Sequence, residues 1–178
     1  MSCINFTLNG IANDCLGAKG GLTAVCIAPY VDGAFQVNNE TENMANVTDG
    51  KTIEWKHFYV RPNSSNYTQS LTKDNANGIS YVTQTINLVF TRMNTVKKLE
   101  MNTLINAELL VACKDANGQW TVFGYDAPVT CTAGTGDSGT AVGDGNKYTV
   151  ALSTDSEWYA AFAGSELAAQ LEAVVKGE

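Results

Sequence analysis

The sequence predicts a mainly β protein: a β-sandwich or barrel with a long β-hairpin, one embedded α-helix and a C-terminal α-helix. Three observations carry this. Residues 79–92 alternate, with Val82, Gln84, Ile86, Leu88 and Phe90 on one face and Tyr81, Thr83, Thr85, Asn87 and Thr91 on the other, the period-2 signature of a half-buried strand. Two clusters of turn formers, Asp74-Asn-Ala-Asn-Gly78 and Asp115-Ala-Asn-Gly118, each separate two strand-like runs, as hairpin loops do. Helical periodicity is confined to 96–106 and 166–176. With 178 residues, a single domain over 1–178 can bury roughly 70% of its unfolded surface.

The elements follow in order. Residues 1–21 read as an N-terminal arm. Leu22–Pro29 is the longest apolar stretch and far too short to span a bilayer. Residues 53–61 alternate, with Ile53, Trp55, His57 and Tyr59 on one side, and predict a strand neighbouring the hairpin of 66–92; Pro62 and Asn63 break the chain between them. The helix at 96–106 has Leu99, Leu104 and Ile105 as apolar residues and Asn94 or Thr95 as N-cap. A second hairpin pairs 108–113 with 120–125. Strands at 129–132 and 147–153 follow, the latter with Tyr148, Val150 and Leu152 in phase, and the glycine-rich stretch 133–145 between them reads as a loop. Residues 158–162 fit either a strand or a helix. In the last helix, residues 165–177, Ser165 is the expected cap, Leu167, Leu171, Val174 and Val175 form the apolar stripe, and Gly177 ends it.

Charge narrows the function classes. The net charge is −7 with a pI near 4.6, which argues against a DNA-binding module with its basic stripe. It is uneven: −3 over residues 1–60, +3 over 61–114 and −7 over 115–178. A basic middle and an acidic end can meet within one molecule or between subunits. The five cysteines, Cys3, Cys15, Cys26, Cys113 and Cys131, form no C-x-x-C pair, and the placement of Cys26, Cys113 and Cys131 in apolar runs suits reduced thiols. The first residues show neither a basic segment nor a long apolar one, so no signal peptide is expected.

Motifs for chemistry are sparse. Gly136-Asp-Ser-Gly139 resembles the nucleophile sequence of trypsin-like proteases, but His57 is the sole histidine available as base and sits in Trp-Lys-His-Phe; a flexible loop is the expectation. Asp137 and Asp144 lack the spacing of a calcium loop. Gly17-Ala-Lys-Gly-Gly21 is not a phosphate-binding loop. Trp55, Tyr59, Tyr67 and Tyr81 fall near one another on the strand map. Core packing or subunit contact is favoured for them over sugar stacking. No catalytic, cofactor or metal residue is expected, and the chain does not read as an enzyme.

The run Thr52–Arg92, with its long hairpin, then the short helix headed by Thr95-Val-Lys-Lys-Leu-Glu100, then the return to strands over Glu108–Tyr125, resembles phage tail tube proteins and their relatives in phage rings and contractile injection systems. The phrasing of the chain is similar to virion proteins of phages infecting gut Bacteroidota. The resemblance covers about two thirds of the chain and implies a virion structural protein. Its copies would form rings, commonly hexameric, that stack into a tail tube, ring or connector. DNA would pass through the lumen without specific binding. The implied partners are further copies of the chain and other tail or connector proteins, with no membrane. The implied location is the virion, after assembly in the bacterial host cytoplasm. Arg61, Tyr67, Lys73, Tyr81, Thr83, Thr85 and Arg92 are the expected subunit contacts. The alternative is a β-sandwich binding module or adhesin that recognises a glycan or a protein.

Overall fold

The computed structural model describes residues 10–11, 17–37 and 44–177. Cys3, Cys15 and most of the expected N-terminal arm lie outside the described residues. The strands are β1 (Leu22–Pro29), β2 (Phe35–Val37), β3 (Met44–Val47), β4 (Lys56–Phe58), β5 (Asn66–Asp74) and β6 (Ile79–Thr91); α1 (Thr95–Asn106) follows; then come β7 (Leu109–Asp115), β8 (Trp120–Phe123), β9 (Thr130–Asp137), β10 (Lys147–Ser156), β11 (Ala161–Ala163) and α2 (Ser165–Lys176). They build two sheets. The larger has seven strands in the order β2-β3-β11-β8-β7-β1-β4. The smaller has four, β5-β6-β10-β9. The molecule is thus an open sandwich rather than a closed barrel.

Side-chain pattern follows strand position. β7 and β8 lie mid-sheet and are buried on both faces, so Leu109–Cys113 and Trp120–Phe123 are runs with no exposed residue. β6 and β10 are covered on one face only, so they alternate: Val82, Gln84, Ile86, Leu88 and Phe90 are buried and their neighbours are not. The core between the sheets joins Val25, Ile27, Val111 and Phe123 of the large sheet to Ile86, Leu88, Val150 and Leu152 of the small one. A second core lies on the other face of the large sheet. There Ala24, Cys26, Leu110, Ala112, Trp120 and Val122 pack under Leu167 and Leu171 of α2.

Both hairpins form where the turn clusters place them, β5 with β6 and β7 with β8. At the first tip Asp74 accepts from the amides of Ala76 and Asn77; at the second, Asp115 accepts from Asn117 and Gln119. Asn94 is the N-cap of α1, its side chain accepting from the Lys97 amide at 2.8 Å.

Four sequence readings need correction, and one left open is settled. The strand at 53–61 shrinks to Lys56–Phe58 and edges the large sheet through β1, not the sheet of the hairpin. The chain there serves two cores at once, Trp55 in the one under α2 and Phe58 in the one between the sheets. The supposed loop begins at Ser138, because Ala133–Asp137 extends β9 against β10. On α1, Leu99 and Ile105 are exposed, and Met101 and Leu104 face the core. The cap of α2 is Gly164, not Ser165; a Cβ at Gly164 would fall 1.9 Å from the Asn46 side-chain oxygen, so the close approach of β3 leaves room only for glycine. The segment 158–162, which fits either a strand or a helix by sequence, is irregular over 158–160 and then strand, Ala161 and Phe162 being the first residues of β11.

Candidate functional site

The predicted contact residues lie on or beside the β5–β6 hairpin, but not as one surface. β5 alone spans about 27 Å at ~3.4 Å per residue. Lys73 is exposed next to its tip, while Arg61 is exposed in the turn leading into β5. Arg92 just follows β6 with φ +64, its amide donating to the Asn146 carbonyl.

Tyr67, expected with Tyr81, Thr83 and Thr85 as a subunit contact, points inward. Its register partner is Ile86, its ring meets Phe123 edge-on at 5.1 Å, and its hydroxyl pairs with Thr121 at 3.2 Å. The remaining three share the outer face of the small sheet. Thr83 donates to Asp155 at 2.7 Å, and Thr85 lies 3.5 Å from the Ser153 hydroxyl. Thr68, Ser70, Thr72 and Thr149 take the same side by register. This face is rich in hydroxyls, with β-branched side chains suited to a pleated surface.

The four aromatic residues grouped by the strand map are dispersed. Trp55 is buried near Phe35, Tyr59 is exposed against His57, Tyr67 is in the inter-sheet core and Tyr81 is on the outer face. Among the described residues, the basic-middle, acidic-end expectation finds one contact: Lys114 pairs with Glu172. Glu172 also accepts from the buried Trp120 indole at 2.9 Å, and Lys114 stands 6.0 Å from that ring. The Lys114 and Trp120 bonds hold the Glu172 carboxyl below its usual range. The latch fixes α2 to β7 and β8, and the long sequence separation between its members hid it from sequence reading.

Ser138 and His57 lie apart in the fold, Ser138 in the loop just after β9 of the small sheet and His57 in β4 of the large one. The Ser138 hydroxyl donates to the Gly139 carbonyl. His57 stacks on Tyr59 with ring centroids 4.0 Å apart, its Nδ1 is buried without a hydrogen-bond partner, and burial lowers its pKa. Asp137 accepts from the Gly139 amide, and Asp144 from those of Thr140 and Ala141, so both carboxylates organise the 138–145 turn. In Gly17–Gly21, the Lys19 amide donates to Asn117. Cys26 and Cys113 are buried in different cores, and burial pushes the Cys26 thiol up to about 12 and raises Cys113 too.

Among the described residues the small sheet has both edges open: β5 and β9 pair on one side only. They comprise 9 and 8 residues, so each offers a long row of unpaired backbone groups. The sequence shows both as strands or partial strands, but only the sheet order shows that they are edges.

No protein-family model matches this chain, and no curated protein matches it in sequence.

Proposed function

We propose that this protein is a self-assembling virion structural protein whose copies join edge to edge into a ring, as a subunit of a tail tube, ring or connector. The observation that carries the reading is the geometry of the small sheet. Its four strands alternate in direction, so its two edges run opposite ways. Copies related by rotation then meet β5 against β9 antiparallel, a heterologous contact that closes on itself.

Two further features support closure. The strand centres step one way across the sheet. Ser70, the middle of β5, stands opposite Thr83; Thr85 is the middle of β6; Ala151 of β10 stands opposite Asn87; Gly134 of β9 stands opposite Val150, itself opposite Leu88. A barrel of tilted strands needs such a one-way stagger. The layers also differ in width, about 19 Å for four strands against about 34 Å for seven at ~4.8 Å per strand. A wedge of that shape turns its narrow layer to the centre of a ring, and the hydroxyl-rich outer face then lines the hole. Hydroxyls without a basic stripe let a polyanion such as DNA pass without strong retention.

Sedimentation velocity and electron microscopy of the full chain test this. Rings or stacked rings are expected, and deletion of Asp74–Gly78, which shortens β5 and β6, should leave a folded monomer by circular dichroism. A wild-type chain that stays monomeric at high concentration, with tail proteins added, refutes the proposal.

A further inference from the structure

Resting on that ring reading, we infer that the groove between α1 and β9 is the seat of Leu71 from the next copy of the chain. The groove has a volume of about 350 Å³ and is lined by Met101 and Ile105 of α1, by Cys131, Gly134 and Gly136 of β9, and by Tyr148 of β10. Its openness has a sequence cause. The inward row of β9, read from its register with Leu152, Val150 and Tyr148, is Cys131, Gly134 and Gly136. A Cβ at Gly136 would stand 3.0 Å from the Tyr148 ring, so that position is already filled by the ring. A Cβ at Gly134 would meet nothing nearer than 3.6 Å. The inner side of this edge is therefore short of side-chain volume. Beside it Ile105 is 59% exposed.

The opposite edge has the complementary feature. Along the inward row of β5, Tyr67 is held by Thr121 and Phe123, and Gln69 accepts from the Ala160 amide at 2.6 Å. The next inward residue, Leu71, is 53% exposed, and its own sandwich leaves it half uncovered.

Register joins the two. The centres step by two, two and one residues, so one further step carries Ser70 of the next copy one to two residues past Gly134, and facing parity selects Thr135 there. Both are outward residues, Ser70 through Thr83 and Thr135 through Thr149. Antiparallel pairing then sets Leu71 opposite Gly134, both inward, above the unfilled groove. A one-residue slip would send Leu71 to the hydroxyl face, so burial of this side chain fixes the register.

Site-directed crosslinking in the full chain, with Cys3 and Cys15 changed to Ser, tests this. Leu71→Cys should be joined to native Cys131 of the next copy by a short bismaleimide, giving a ladder of covalent multimers that disappears when Cys131→Ser is added. Leu71→Asp should weaken association at least tenfold in sedimentation velocity and leave the monomer folded. Rings that form without the Leu71→Cys to Cys131 product, or that tolerate Leu71→Asp, overturn this inference and leave the ring reading standing. A chain that is monomeric throughout overturns both.

Discussion

Removing the Glu172 side chain should unlatch the C-terminal helix, and the cost can be worked from two contacts. Glu172 accepts from the Trp120 indole, whose residue is 2% exposed, and pairs with Lys114. A hydrogen bond to a charged group is worth about 1.5–3 kcal/mol, and an unpaired buried donor costs about 1–3 kcal/mol. The Glu172 side chain is 33% exposed, so the ion pair itself is screened and adds under about 1 kcal/mol. Glu172→Ala should therefore cost about 2 kcal/mol, a fall in Tm of about 4–8 °C for a domain of this size. Glu172→Gln keeps an acceptor for the indole and loses only the charge, so it should cost about 0.5–1 kcal/mol at pH 7. The folded-state pKa of Glu172 is depressed from 4.5. Its ionic contribution is then complete above that value and vanishes as pH falls through the lower folded pKa. Urea unfolding followed by tryptophan fluorescence, at pH 7 and pH 3, checks both variants. If Glu172→Gln costs the same at both pH values, the ionic part of the latch is wrong. If Glu172→Ala is neutral, the latch does not hold α2.

Two further outcomes are expected. Gly124 has φ +93, and a Cβ there would lie 2.9 Å from the Leu109 carbonyl oxygen, so Gly124→Ala should cost about 2 kcal/mol or more from backbone strain and overlap, read as a lower urea midpoint. In a chain with Cys3 and Cys15 changed to Ser, a thiol reagent at pH 8 should label half-buried Cys131 first, and Cys26 and Cys113 only as fast as the fold opens; because burial raises Cys26 from 9.0 to about 12, stability should also decline as pH rises across that window. Rapid labelling of all three thiols in the native protein would show that α2 and the small sheet do not cover the large sheet as described.

Local pattern was enough for several elements. β6 was legible because one covered face imposes strict alternation, and the hairpins because Asp, Asn and Gly satisfy turn geometry within four or five residues. Asn94 was legible as a cap because its bond reaches only Lys97. Non-local relations decided the rest. The glycine-rich composition of 133–145 suggested a loop, yet Ala133–Asp137 is a strand because β10 supplies its partners and the Tyr148 ring fills the space above Gly136. Tyr67 and Tyr81 share odd numbers but opposite faces, because pairing of β5 with β6 sets Tyr67 against Ile86. The sequence by itself determined the two hairpins, the long strand β6 and the two helices, since those depend on neighbours a few positions away, whereas the short strands β2 and β3 left no such local pattern. Only the tertiary structure decided that β5 and β9 are edges, that their ends are staggered and that one carries an uncovered leucine while the other carries an unfilled groove. Those properties belong to strand order and register, and backbone hydrogen bonds between strands carry almost no residue identity from which to read them.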